Sequence, residues 1–169
     1  HFKAIVDSSD DAIISKNING IVASWNKGAE RMFGYRADEM IGQPLTQIIP
    51  AERLPEEPEI LEKIAQGVKV DHFETQRLHQ NGTLVDLSVT ISPIYGQNGD
   101  VIGASKIARD ISKAKVAEAE IQRLAFYDAL TGLANRHQFK SRLHLHEEST
   151  TETDHNFVLL LLDLDNFKT

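Results

Sequence analysis

The chain has 169 residues, and 18 Lys and Arg against 25 Asp and Glu give it a formal net charge of −7. Its 41% hydrophobic and 25% charged residues are the proportions of a globular protein, which argues against disorder and collagen-like repeats. The complete lack of cysteine excludes disulfides, thiolate metal sites, cysteine nucleophiles and cysteinyl-flavin photochemistry. The longest apolar run, Phe157 to Leu162, falls far short of the roughly 20 residues of a spanning helix. With no signal peptide either, the chain reads as soluble and cytoplasmic, and we expect no membrane contact. Its acidic balance and missing basic stripe speak against nucleic-acid binding.

Two short β-type runs, Ala12 to Lys16 and Ile21 to Trp25, flank Asn17-Ile18-Asn19-Gly20, and an Asn-Gly pair between such runs signals a hairpin. Asn26 suits the cap of a helix over Lys27 to Phe33 that Gly34 ends. Short helical pieces are expected over Ala37 to Ile41 and Pro44 to Ile49. Glu56 to Gln66 places Ile60, Leu61 and Ile64 on one face, so it is predicted as an amphipathic helix closed by Gly67. Three longer strands follow, Asp71 to His79, Thr83 to Tyr95 and Val101 to Asp110, joined by Asn-Gly turns. In the middle strand Val85, Leu87, Val89 and Ile91 alternate with Asp86, Ser88 and Thr90, which marks one buried face. The order β-β, short helices, β-β-β describes an α+β domain with an antiparallel sheet carrying helices on one face.

Ser112 to Phe126 has neither Gly nor Pro and reads as a helix, with Ala114, Ala117, Ile121 and Leu124 forming a seam that a second copy could bury. A helix of this length cannot hold a dimer alone, and packing on its own domain is the alternative. Asn135 to Glu148 is predicted as helical, Ser149 to Asn156 as a polar loop, and Phe157 to Asp165 as a strand buried on both faces. That strand has no partners in the 42 residues from Asp128 onward, so the chain is expected to end inside a domain.

Residues 1–112 resemble a PAS sensor domain. The resemblance rests on Asn19-Gly20-Ile21-Val22, the run Trp25 to Tyr35, Glu39 to Pro44, Ile48-Ile49-Pro50, Asn81-Gly82-Thr83 and Gly103 to Ser112. It implies a five-stranded antiparallel sheet with helices on one face. Residues 128–169 resemble the opening of a GGDEF diguanylate cyclase domain, through the motif Asp128 to Arg136 and the segment Leu162 to Lys168, although His137 stands where a second Arg is usual. Residues 113–127 would then be the signalling helix between them, and the family's signature hairpin would lie beyond Thr169.

The second resemblance implies Mg²⁺ and GTP as cofactor and substrate of the intact parent, joined two to one as cyclic di-GMP. It assigns Asp163 and the Leu164 carbonyl to the metal, and Asn166, Phe167 and Lys168 to the GTP phosphates. Read without the family, Asp163 and Asp165 are two acids at the end of a buried strand. Asp128, Thr131 and Gly132 are assigned to signal transmission together with Asp110, since the Asp-x-x-x-Gly spacing suits a turn closed by local bonds.

For the sensor, the candidate pocket residues are Trp25, Asn26 and His72. Some redox PAS domains carry a Trp-Asn pair with FAD, whereas the simpler reading has Trp25 filling core and Asn26 capping a helix. In haem-bound relatives the proximal His falls at the position that Glu57 occupies, which disfavours haem. A small metabolite or no ligand are equal alternatives, and His72 and His79 read as edge residues. The expected partner is a second copy of the chain, held through the sensor and the linker helix. A diguanylate cyclase regulator is the leading reading. A non-catalytic module regulating a degenerate cyclase or a phosphodiesterase is the alternative.

Overall fold

The computed structural model describes residues 2–149, 160 and 162. The predicted strand Phe157 to Asp165, apart from Leu160 and Leu162, most of the loop before it, and Asp163, Leu164, Asn166, Phe167 and Lys168 lie outside the described residues. Two compact units emerge, residues 1–116 and 117–169.

The first unit opens with helix α1 (Phe2–Ser8), then β1 (Ala12–Asn17), β2 (Val22–Trp25), helices α2 (Lys27–Phe33) and α3 (Ala37–Met40), and 3₁₀ turns at Leu45–Ile48 and Ala51–Arg53. Helix α4 (Glu56–Ala65) leads into β3 (Val70–Leu78), β4 (Leu84–Tyr95) and β5 (Val101–Asp110). All pairings are antiparallel and the sheet order is β2-β1-β5-β4-β3, so first and last strands lie side by side at its centre. This is the α+β sheet expected from the sequence. The Asn-Gly turn forms as predicted: Asn17 Oδ1 accepts the amides of Asn19 and Ile21, and Gly20 takes φ 79°, a left-handed conformation that glycine adopts without Cβ strain.

Asn26 caps α2 by accepting the Ala29 amide at 2.8 Å, and Gly34 closes that helix in the left-handed region. The segment expected as a helix over Pro44 to Ile49 is a shorter 3₁₀ turn, because Pro44 and Pro50 bracket it too tightly for α-helical bonding. Helix α1 has no counterpart in the sequence reading: it is seven residues long and buries no side chain. It is tied to the domain through Asn26, whose Nδ2 donates to the Val6 carbonyl.

One face of the sheet holds the core. Ala12 and Ile14 of β1, Leu87, Val89 and Ile91 of β4, and Ala104 and Ala108 of β5 pack against Phe33, Met40, Leu45 and Ile48, and against Ile60 and Ile64 of α4. Helix α5 (Ser112–Phe126) follows β5, and α6 (Arg136–Ser149) lies in the second unit.

Candidate functional site

Alternation along a strand places every second side chain on the same face. On β5 the positions of Ala104 and Ala108 are also that of Lys106, and on β1 those of Ala12 and Ile14 are also that of Lys16. Both lysines therefore point into the core, and both are buried, as are Thr75 and Arg77 of β3. Helix α4 brings two carboxylates over them. Glu57 lies on the same helical stripe as Ile60 and Ile64, and all three are buried.

Within this cluster Lys16 Nζ is paired with Glu57 Oε1. Glu56 Oε2 accepts from Thr75 Oγ1 at 2.8 Å and from Arg77 Nη1 at 3.1 Å, while its other oxygen accepts from Arg53 at 2.7 Å. Among the described residues, Glu57 Oε2 and Arg77 Nη2 are buried without a hydrogen-bond partner and Lys106 makes no ion pair.

Burial pushes the Glu57 carboxyl up, but the charges of Lys106 and Lys16, with the Lys16 hydrogen bond, outweigh it and hold it below its ordinary range. Burial lowers the Arg77 guanidinium. Lys106 is pushed down to about 7, chiefly by burial, then by the neighbouring charge of Lys16. A cavity of about 40 Å³, bounded by Asn17, Ile64 and Ala104 among others, adjoins this end of the sheet and has room for water.

The three pocket candidates read from the sequence are not brought together. Trp25 is buried against Phe33 with ring centroids 5.5 Å apart, and its Nε1 donates to the Tyr35 carbonyl. Asn26 is buried and fully engaged: besides capping α2 it accepts the Ile13 amide and donates to the Val6 and Asp11 carbonyls. His72 sits on the opposite face of the sheet, in a register irregularity of β3 at φ 47°. There it lines an open recess of about 120 Å³ with Asp11, Ser88, Thr90, Ile107 and Arg109. The charged cluster under α4 carries no local motif, although Glu57 shares the spacing of the apolar stripe.

The transmission candidates are held by local bonds. Asp110 Oδ1 accepts the Ser112 amide at 2.8 Å and Ser112 Oγ accepts the Asp86 amide at 3.2 Å, fixing the start of α5 to β4. Lys115 then reaches Glu74 at 3.1 Å and Asp86 at 3.3 Å.

In the second unit Asp128, Thr131 and Gly132 come together in one turn. Asp128 Oδ1 accepts from the Thr131 amide and hydroxyl at 2.9 and 2.8 Å, bonds that hold its carboxyl below the ordinary range. Gly132 at φ 69° donates to the Asp128 carbonyl. Asn135 caps α6 through Oδ1 and returns Nδ2 to the Ala125 carbonyl, so this turn is clasped to the end of α5. Among the described residues no group of three or more His, Asp and Glu could hold a metal ion, and no helix is long and apolar enough to cross a membrane.

Residues 10–113 match the PAS domain family, which is more than half of the chain. The chain belongs to the PAS family. Residues 125–169 match the diguanylate cyclase GGDEF domain, so the PAS domain is followed by a GGDEF segment. The PAS domain of a protein from Colwellia psychrerythraea is a structural neighbour, with TM-score 0.60 and 33% identity over 65% of this chain and 93% of that one. The chain is 26% identical to the probable diguanylate cyclase DgcE of Escherichia coli, over 96% of this chain and 15% of that protein. It is 24% identical to the cyclic di-GMP phosphodiesterase PdeB of Shewanella oneidensis, over 98% of this chain and 19% of that protein. The chain thus spans less than a fifth of the length of either relative.

Proposed function

We propose that this chain is the sensory PAS module of a cyclic di-GMP signalling protein, governing a diguanylate cyclase that joins two GTP molecules. The observation that carries this reading is continuity: β5, central in the PAS sheet, passes through the Asp110–Ser112 bond into α5, and α5 ends at the clasped Asp128–Asn135 turn. A change in the PAS core that moves β5 would move the start of α5. The exposed apolar side chains Val116, Ile121 and Leu124 on that helix support pairing with a second copy. Two cyclase half-sites would then meet or separate according to how the paired helices are set. Domain limits of 1–112, 113–127 and 128–169 fit this division.

In the cyclase, Mg²⁺ would supply charge neutralisation at the GTP phosphates. Asp163 would be the hard oxygen donor for it, with the Leu164 carbonyl, while the amides of Asn166 and Phe167 and the charge of Lys168 would suit phosphate oxygens. The test is to incubate the parent protein with GTP and Mg²⁺ and look for cyclic di-GMP by chromatography. Product that disappears in Asp163→Asn is expected; a parent that binds GTP but forms no product would overturn the reading. The similarity to PdeB favours a second reading, in which the same module regulates hydrolysis of cyclic di-GMP. Loss of added cyclic di-GMP in that incubation would select it.

A further inference from the structure

Three buried cations and two carboxylates share the space under α4, with the partly exposed Arg53 on the outer oxygen of Glu56. Seen from Lys106 on β5, the charged groups are Lys16 from β1, Arg77 from β3, and Glu57 and Glu56 from α4. Its nearest partners across the sheet, Ile14 on β1 and Ile91 on β4, are apolar. With every group ionised the positive charges outnumber the carboxylates, and Arg53, paired with Glu56 at the edge of the cluster, adds to the excess. Burying an ammonium without a counter-ion is strongly disfavoured, and such a group gives up its proton instead. Arg77 cannot, since a guanidinium stays charged, and Lys16 is held by its pair with Glu57. Lys106 is the member left without a carboxylate of its own. As the free amine it leaves two buried cations, Lys16 and Arg77, facing the two carboxylates.

The neutral state has a cost on the other side. Glu57 already has one oxygen on Lys16, but Oε2 is buried and unpartnered. A proton added to the Lys106 nitrogen, taken from solvent onto its lone pair with no other bond changed, turns that amine into a cation attracted to Glu57. We infer that Lys106 is a reversible proton-binding site of the PAS core, whose protonation draws Glu57, and with it α4, against β5. The two states differ in whether α4 is tied to the sheet through one lysine or two. Strand β5 continues to Asp110 and α5, so the tie acts on the strand that leads out of the domain. The proton site does not depend on the cyclic di-GMP reading; its use as a signal does.

The experiment is an NMR titration of the chain carrying ¹³C-labelled lysine, from pH of about 5.5 to about 9.5, a range in which ordinary lysines stay charged. One ε-carbon resonance, assigned to Lys106 through its own backbone, is expected to titrate near neutrality while the others hold still. The amides of Glu57 to Ile64 should move with the same midpoint. Lys106→Met should remove both transitions, and Glu57→Gln should lower the midpoint by removing the carboxylate that favours the cation. A Lys106 resonance that stays charged up to the end of the range would overturn the site. Titration of Lys106 with no response in α4 would overturn its coupling to that helix. Because the assignment is made on the native sequence, misfolding of a variant would not blur the outcome. A parent that lacks cyclase activity would leave the titration unchanged, so the two readings fail separately.

Discussion

The two ends of the PAS core are built on opposite principles. Beneath α2 and α3 the sheet meets Trp25, Phe33, Met40 and Leu45, which bury carbon against carbon and need nothing further. Beneath α4 the same sheet face carries Lys16, Arg77 and Lys106 under Glu56 and Glu57. Buried ionic groups of this kind seldom add net stability compared with apolar side chains of similar size. The first end therefore holds the fold together. The second is where the fold tolerates cost, and such places are where perturbed groups and function tend to coincide.

The largest effect should come from breaking the apolar end. Phe33 is 1% exposed and packs on Trp25 and the sheet. Phe33→Ala removes a ring and leaves a cavity whose walls are held by β-strands, so a loss of about 3–5 kcal/mol is expected in urea unfolding. A loss below about 1 kcal/mol would mean that this end is loosely packed and the contrast does not exist.

Much of this architecture could be read from residue order. Asn-Gly turns, the Asn26 cap and the alternation of Val85, Leu87, Val89 and Ile91 report local chemistry, and the elements they predict appear within a residue or two. The charged cluster could not be read that way. In Ser105-Lys106-Ile107 hydropathy alone points Ile107 inward and Lys106 outward, and the structure has the reverse, with Ile107 44% exposed. The reason is spatial. Small side chains at Ala104 and Ala108 fix which face of β5 lies under α4, and β5 runs so close to β1 that a Cβ on Gly103 would stand 2.3 Å from the Lys16 carbonyl oxygen. Lys106 follows the register. The residues assigned to Mg²⁺ and GTP rest on family resemblance, since they lie outside the described residues.

A second, smaller effect has the opposite sign. Lys106→Met fills a similar volume with an apolar side chain and removes one buried cation from a cluster in which positive charges outnumber carboxylates. It should stabilise the chain by about 1–4 kcal/mol at neutral pH, and the gain should depend on pH in a defined direction. Lys106 sits at about 7 when folded against an ordinary 10.5. Below about pH 7 both folded and unfolded chains hold the proton, and the native state carries the whole cost of a buried cation. Between about 7 and 10.5 only the unfolded chain holds it, so native stability rises with pH across that window. The advantage of Lys106→Met is therefore greatest at and below pH 7 and fades towards 10.5. Chemical unfolding at several pH values in that window measures it, and a pH-independent gain would show that Lys106 is already paired.

The smallest effect belongs to the outer face of the same sheet, which sharpens the contrast from the other side. Arg109 and Asp11 make a bidentate pair, at 3.1 and 2.9 Å. Yet the arginine side chain is 71% exposed, and water and salt screen such a pair so well that alignment contributes little. Arg109→Ala is expected to leave the urea midpoint of the dilute chain unchanged. Position decides more than geometry here: the Glu57 pair, enclosed by α4, governs its surroundings, while the Arg109 pair, open to solvent, does not. A midpoint that falls in the variant, and falls more at high protein concentration, would show that this face is covered by a second copy of the chain. The outer face would then be buried in the dimer, as the apolar end of the core is in the monomer.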